Sequence, residues 1–206
     1  PVTQFYKVAV DNDLPFYNVY GGAQDNNTLG GPSRTDKVHG INNSDWFVTS
    51  GGDGYMPATD PDDANIVYSE SQNGNMVRFD RKTGESVFIQ PQPAKGEPEE
   101  RFGWDAPIVV SPHDSKTLFF ASQRVWRSDD RGDSWRPLSC DLTRILPRLH
   151  QPMMGRVWSF DAMWDQLAMS KYGTITALDQ SPLDAQLLVA GTDDGLIHVT
   201  MNGGRT

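Results

Sequence analysis

Four short segments of this 206-residue chain set an aspartate among glycines: GGAQDNN (Gly21 to Asn27), SGGDGY (Ser50 to Tyr55), FGWDAP (Phe102 to Pro107) and GTDDG (Gly191 to Gly195). Glycine lets backbone and ligand approach closely. Trp46, Tyr55 and Trp104 lie near three of these segments and have the flat apolar faces that stack on a sugar ring. Two carboxylates about 5–5.5 Å apart, or about 6.5–9.5 Å apart, are the apparatus of retaining or inverting glycoside hydrolysis. Asp25 and Asp53 form the candidate catalytic pair, with Asp105 or Asp193 as substitutes. Gln24, Trp46, Tyr55, Trp104, Asp105 and Asp193 are the candidate ligand contacts. Each acidic loop also reads as a solvated Gly/Asp turn, so the sequence leaves the choice open.

A fifth acidic segment, SDDRGDSWRPLS (Ser128 to Ser139), has a different character. Asp130 and Gly132 stand between the strand-like run RVWRS and Trp135. Gly132 is free to take positive φ, and Asp130 can accept bonds from its own loop. A carboxylate committed in this way is a poor general base. The spacing of Asp129, Asp130 and Asp133 does not match a calcium loop of the EF type. The segment TMNGGRT repeats the pattern, with Thr200, Asn202 and Gly204 at the places of Ser128, Asp130 and Gly132. Both segments are expected to be hairpin turns.

Other chemistries find little support. A single cysteine, Cys140, excludes an internal disulfide or a multi-cysteine metal centre. The histidines His39, His113, His150 and His198 form no pair at ligand spacing, so neither a metal nor a cofactor is expected. There is no Gly-x-Ser-x-Gly elbow and no phosphate loop. The net charge of −9, without a long Lys/Arg cluster, argues against nucleic acid as a partner. No apolar run approaches the ~20 residues of a membrane span. The chain begins PVTQFYKV, without Met, as expected of an excised piece or of a chain that has lost a leader.

These residues must be positioned by strands. With 19 Gly and 14 Pro, the composition points to a turn-rich all-β chain. One pattern recurs, a turn of Asp, Pro or Ser followed by a β-rich run: DNDLPFYNVYGG from Asp11, DPDDANIVYSES from Asp60, SPHDSKTLFFAS from Ser111 and SPLDAQLLVAGT from Ser181. Taking Tyr20, Tyr68, Phe120 and Val189 as equivalent gives spacings that suit a four-stranded propeller blade of roughly 40–50 residues, with an insertion before the last. The expected architecture is about four antiparallel four-stranded blades at 3–53, 54–103, 104–141 and 172–206, with an insertion at 142–171. In the third unit strands are expected at Ala106 to Val110, Thr117 to Ala121, Arg124 to Ser128 and from Trp135. Within the insertion, SFDAMWDQLAMS (Ser159 to Ser170) has the spacing of a short helix.

The signature Ser-x-Asp-x-Gly-x-x-Trp, filled by Ser128, Asp130, Gly132 and Trp135, resembles the Asp-box of the BNR-repeat β-propellers. The wider text, including YGGAQDNNT, SGGDGYMPATDPDD and GTDDGLIHVTMNGGRT, resembles bacterial sortilin (VPS10)-like and glycosyl-hydrolase-like members of that group. The resemblance implies a folding role for the Asp-box turns, a secreted or periplasmic location, and membership of a larger ring whose remaining blades are partners. Two functional readings follow. One is a module that binds a peptide or carbohydrate ligand at the channel mouth; the other is a glycoside hydrolase using Asp25 and Asp53.

Overall fold

A computed structural model describes residues 3–159, 162 and 171–205. The first blade is formed by β1 (Val8–Val10), β2 (Asn18–Gly22), β3 (Thr28–Pro32) and β4 (Phe47–Ser50). The second comprises β5 (Ala58–Thr59), β6 (Ile66–Ser71), β7 (Asn75–Asp80) and β8 (Ser86–Phe88). The third comprises β9 (Ile108–Val110), β10 (Leu118–Ala121), β11 (Val125–Ser128) and β12 (Arg136–Pro137). In the fourth, three strands lie among the described residues: β13 (Ile175–Gln180), β14 (Leu188–Thr192) and β15 (Ile197–Thr200). Each sheet runs in sequence order with every neighbour antiparallel. The first strands of successive blades meet one another, β1 on β5, β5 on β9 and β9 on β13, and form the inner rim of an all-β propeller of four blades. Pro137 is tolerated because β12 is an outer edge strand, where no further ladder partner needs its missing N–H. The helix expected over Ser159 to Ser170 falls almost wholly outside the described residues.

Blades are held together by side chains on both sheet faces. The sequence LFFA of β10 is buried throughout because Phe120 packs toward the second blade, beside Phe102 and Trp135, while Phe119 packs toward the fourth, with Ile175 and Leu188. This alternation corrects the repeat alignment. Tyr68 and Phe119 point toward the following blade, Tyr20 and Val189 occupy the same face of their own sheets, and Phe119 rather than Phe120 is therefore the equivalent position. A one-residue slip reverses the face of every side chain. In the corrected register Asp11, Asp60, Ser111 and Ser181 begin equivalent turns. There Asp60 Oδ1 accepts from the amides of Asp62 and Asp63, and the Ser111 and Ser181 hydroxyls accept from His113 and Leu183.

The outer hairpin turns of the second and third blades then reach back. Arg81 of the second blade donates to Asp11 (3.2 Å) and Asp13 (3.0 Å) of the first. Arg131 of the third donates Nε–H to Asp60 Oδ2 of the second at 2.7 Å. Where Ser111 replaces the acid, Gly203 stands in the facing turn, and the joint is made instead by His113 Nε2 and the Ser181 carbonyl, 2.8 Å apart.

Candidate functional site at the channel mouth

The acidic loops fall on one rim of the propeller. Asp25 lies in the turn between β2 and β3, Asp53 and Tyr55 in the link to β5, Asp105 in the link to β9, and Asp193 in the turn between β14 and β15. What places them is a repeated tether. Four residues beyond Tyr20, Tyr68, Phe119 and Val189 stand Gln24, Gln72, Gln123 and Asp193. Each turns its side-chain oxygen to the segment entering the same blade's inner strand. Gln72 Oε1 accepts from the Asp53 amide (2.8 Å), Gln123 Oε1 from the Arg101 amide (2.8 Å), and Asp193 Oδ1 from the amides of Gly173 (3.0 Å) and Thr174 (2.9 Å). Gln24 Oε1 accepts instead from the Tyr6 hydroxyl at 2.7 Å. Gln24 and Asp193 therefore hold the rim together, and their sequence gave no sign of this shared position.

Asp25 and Asp53 meet, through the backbone of one and the side chain of the other. Asp53 Oδ1 accepts from the Asp25 amide at 2.9 Å, and Asp25 takes a positive φ of 59° in an exposed turn. One oxygen of Asp53 is thus spent on loop geometry. Trp46 stands apart from the rim, at the foot of the outer strand β4, where its ring covers Gly31 and lies 6.2 Å from the ring of Phe5.

Asp105 has different company. Burial pushes its carboxyl above the usual aspartate range, with the charge of Lys7 pulling the other way. The same rim contains a residue that sequence reading passed over, Glu70 at the end of β6. Its side chain is fully buried, Oε1 accepts from the Ala106 amide at 3.0 Å, and Oε2 has no hydrogen-bond partner among the described residues. Burial pushes Glu70 well above the carboxylate range; the Ala106 amide opposes this and the charge of Asp105 adds to it. A buried carboxylate with one oxygen unpartnered is disfavoured, so burial favours the protonated form of Glu70. Glu70 was hidden because the run IVYSES looks like any strand that ends in polar residues.

An aromatic side chain stands just ahead of each inner strand: Tyr6 before β1, Tyr55 before β5, Trp104 before β9 and Tyr172 before β13. The rings of Tyr6 and Tyr55 are 5.8 Å apart and tilted by 54°. Burial, with the charges of Asp105 and Glu70, raises the Tyr55 hydroxyl to about 12, so it remains a neutral donor. The rim of the first three blades thus offers flat aromatic faces, a neutral phenol and the half-buried carboxyl group of Asp105, with Glu70 enclosed beneath it. This combination suits a ligand with alternating apolar faces and hydroxyl groups.

The acidic turn at Ser128 contributes to none of this. Ser128 Oγ accepts from the Gly132 amide (2.8 Å), Asp130 Oδ1 accepts from the Ser134 amide (2.8 Å), and Trp135 Nε1 donates to the Ile89 carbonyl of the second blade (2.7 Å). The copy repeats the first bond, Thr200 Oγ1 accepting from the Gly204 amide at 3.0 Å, while Asn202 Oδ1 accepts one residue earlier, from the Arg205 amide at 3.0 Å. A cleft of about 710 Å3 opens between the first two blades on the face of the Arg81 turn, with Asn12, Asp13, Asp62 and Lys82 among its walls. Among the described residues no group of three or more His, Cys, Asp or Glu is placed to hold a metal ion.

No family model matches the chain, and no curated protein matches it. Solved structures do. The GH74 xyloglucanase from Xanthomonas campestris is 17% identical, with a TM-score of 0.52 over 92% of this chain and 26% of that one. An ancestral GH74 enzyme is 14% identical, with a TM-score of 0.59 over 98% of this chain and 23% of that one. The computationally designed Ika4 protein is 13% identical, with a TM-score of 0.51 over 97% of this chain and 91% of that one. At such identities the likeness is one of fold. The chain spans about a quarter of the length of the two GH74 enzymes.

Proposed function

We propose that this propeller is an extracellular or periplasmic module that binds a carbohydrate chain across its channel mouth. The observation that carries the reading is the row of aromatic side chains Tyr6, Tyr55 and Trp104 on the rim, beside the carboxyl group of Asp105. Sugar rings stack on such faces, and fixed phenol and carboxyl groups pair with their hydroxyls. The GH74 enzymes of similar fold support carbohydrate over peptide as the ligand class. The turns at Ser128 and Thr200 fit the folding role implied by the Asp-box resemblance.

Hydrolysis is the second reading, favoured by the half-buried place of Asp105 next to Trp104 on the rim, where burial raises its carboxyl above the usual aspartate range, the direction a general acid needs. Asp25 and Asp53 serve this reading less well, since Asp53 is engaged with the Asp25 amide. A panel of soluble polysaccharides, including xyloglucan, separates the alternatives when scored for both retention and reducing-end release. Binding without turnover, weakened in Tyr55→Ala, is the expected result. Turnover abolished by Asp105→Asn would establish the hydrolase, and no binding to any polysaccharide would overturn the carbohydrate reading.

A further inference from the structure

A cavity of about 260 Å3 opens on the rim face, between the turn that joins β6 to β7 and the link from β8 to β9. Asn73 and Asn75 line it at the turn and the start of β7, and Gln90 and Gln92 line it from the link. The order Gln-Pro-Gln-Pro keeps both glutamines extended, because a proline disfavours helical backbone at the residue before it. Gln90 Nε2 donates to the Asn73 carbonyl at 3.0 Å and ties the link to the turn. The floor is the ring of Phe102, stacked on Phe120 at 5.2 Å. Gly74, at φ 72°, lets the turn lie on that ring, since an added Cβ would come within 2.6 Å of it. The walls are therefore in place before any ligand arrives.

The lining selects the ligand. A carboxamide both donates and accepts hydrogen bonds, as a sugar hydroxyl does, and four of them converge on this cavity. The side chain of Asn73 has no partner among the described residues, nor has the carboxylate of Glu99 in the same lining. Glu100 is already engaged, with Oε2 accepting from Ser122 Oγ at 2.6 Å and Oε1 3.1 Å from Arg124. Lys171, the one cation among the described lining residues, donates to the Glu100 carbonyl at 3.2 Å. The charge left uncommitted belongs to Glu99, so the cavity favours a neutral sugar over an acidic one. Its volume falls just short of the roughly 300–1,000 Å3 of sites for drug-sized ligands, which suits a single sugar ring. It also adjoins the mouth. Gln72, next to Asn73, tethers the Asp53 amide, and Trp104 and Asp105 follow closely on Phe102. We propose, on the carbohydrate reading of that mouth, that this cavity is an outer subsite holding one neutral sugar unit of the bound chain.

The test pairs calorimetry with NMR of the side-chain NH2 groups, using short and long neutral oligosaccharides of xyloglucan, xylan and mannan, with oligogalacturonate as the acidic control. The double variant Asn73→Gly, Glu99→Ala removes two groups without a partner among the described residues, and glycine keeps the positive φ of 63° at position 73. A long neutral oligosaccharide is expected to shift the NH2 signals of Asn73, Asn75, Gln90 and Gln92, and to bind the double variant about fivefold more weakly than wild type. The short one is expected to leave those signals in place and to bind both proteins equally, and oligogalacturonate to leave them in place as well. Signals unmoved by the long ligand, or equal affinity of wild type and double variant for it, would overturn the subsite. If Tyr55→Ala still weakened binding in that case, binding at the mouth would stand without it. Signals moved by oligogalacturonate would overturn the choice of a neutral sugar, and a wild type that bound no oligosaccharide would overturn subsite and mouth together.

Discussion

Arg131 Nε lies 2.7 Å from Oδ2 of Asp60, a side chain with no exposure, and the contact joins turns of two different blades. The positive charge holds a carboxylate that also accepts the Asp62 and Asp63 amides. Removing the arginine leaves that carboxylate buried and short of a partner, which costs more than the pair itself contributes. Arg131→Ala is expected to lower stability by about 2–3 kcal/mol. Urea unfolding followed by tryptophan fluorescence would show this as a shifted midpoint; a shift within error would mean that the joint is held by apolar packing alone.

Gly132 sits next to this arginine at φ 91°, and an added Cβ would come within 2.7 Å of Ile89 Cδ1. Gly132→Ala combines unfavourable φ with overpacking against the second blade. A loss of about 2 kcal/mol is expected. Gly84→Ala makes the comparison, since Gly84 has φ 76° with open space around it. It should cost about 1 kcal/mol, from backbone conformation alone, and equal losses at both positions would refute the packing contribution.

Glu70 predicts an unusual pH dependence. Its folded-state value lies above the ordinary 4.5, so the folded state binds a proton more tightly than the unfolded chain does. The stability this provides is complete below about pH 4.5 and is lost as pH rises through the raised value. Asp13, lowered chiefly by its bond from Arg81, and Asp130, lowered chiefly by Ser134, act in the opposite sense. Their contribution is present above the ordinary aspartate value and is lost as pH falls through their depressed values. Glu70→Gln should therefore raise the melting temperature at pH 8 relative to wild type and leave the acid limb unchanged. A lower melting temperature at pH 8 would show that Glu70 is ionised and satisfied.

The rim tether makes a prediction of its own. Gln72→Leu deprives the Asp53 amide of its acceptor and loosens the link that holds Asp53 and Tyr55. About 1 kcal/mol of stability is at stake, with a larger relative effect on ligand affinity. Hydrogen exchange at the Asp53 amide provides the readout, and unchanged protection there would show that the tether is dispensable.

Strands were readable because β-branched and aromatic runs are bounded by Asp, Pro and Gly turns. In the third unit, the expected strand at Thr117 to Ala121 is found at Leu118–Ala121, and that at Arg124 to Ser128 is found at Val125–Ser128. The Phe119/Phe120 alignment went astray because both residues are buried and aromatic, so nothing in the sequence distinguishes the forward face from the backward one. The rim loops were readable from their glycines, but the bonds inside them were not. Gln24 as a tether, Asp53 as a cap on the Asp25 amide, and Glu70 as a buried acid all depend on pairs distant in sequence. Trp46 shows the same limit: adjacency to an acidic loop in sequence placed it at the rim, whereas the length of β4 carries it to the outer edge.

The central claim is that the mouth binds carbohydrate through its aromatic row. Isothermal titration with the tightest-binding soluble polysaccharide, comparing wild type, Tyr55→Ala and Asp130→Ala, tests it most directly. The account predicts that Tyr55→Ala weakens binding about tenfold, or ~1.4 kcal/mol, while Asp130→Ala lowers stability and leaves affinity unchanged. Unaltered affinity in folded Tyr55→Ala, or an equal loss in both variants, would contradict the assignment of the site to this rim.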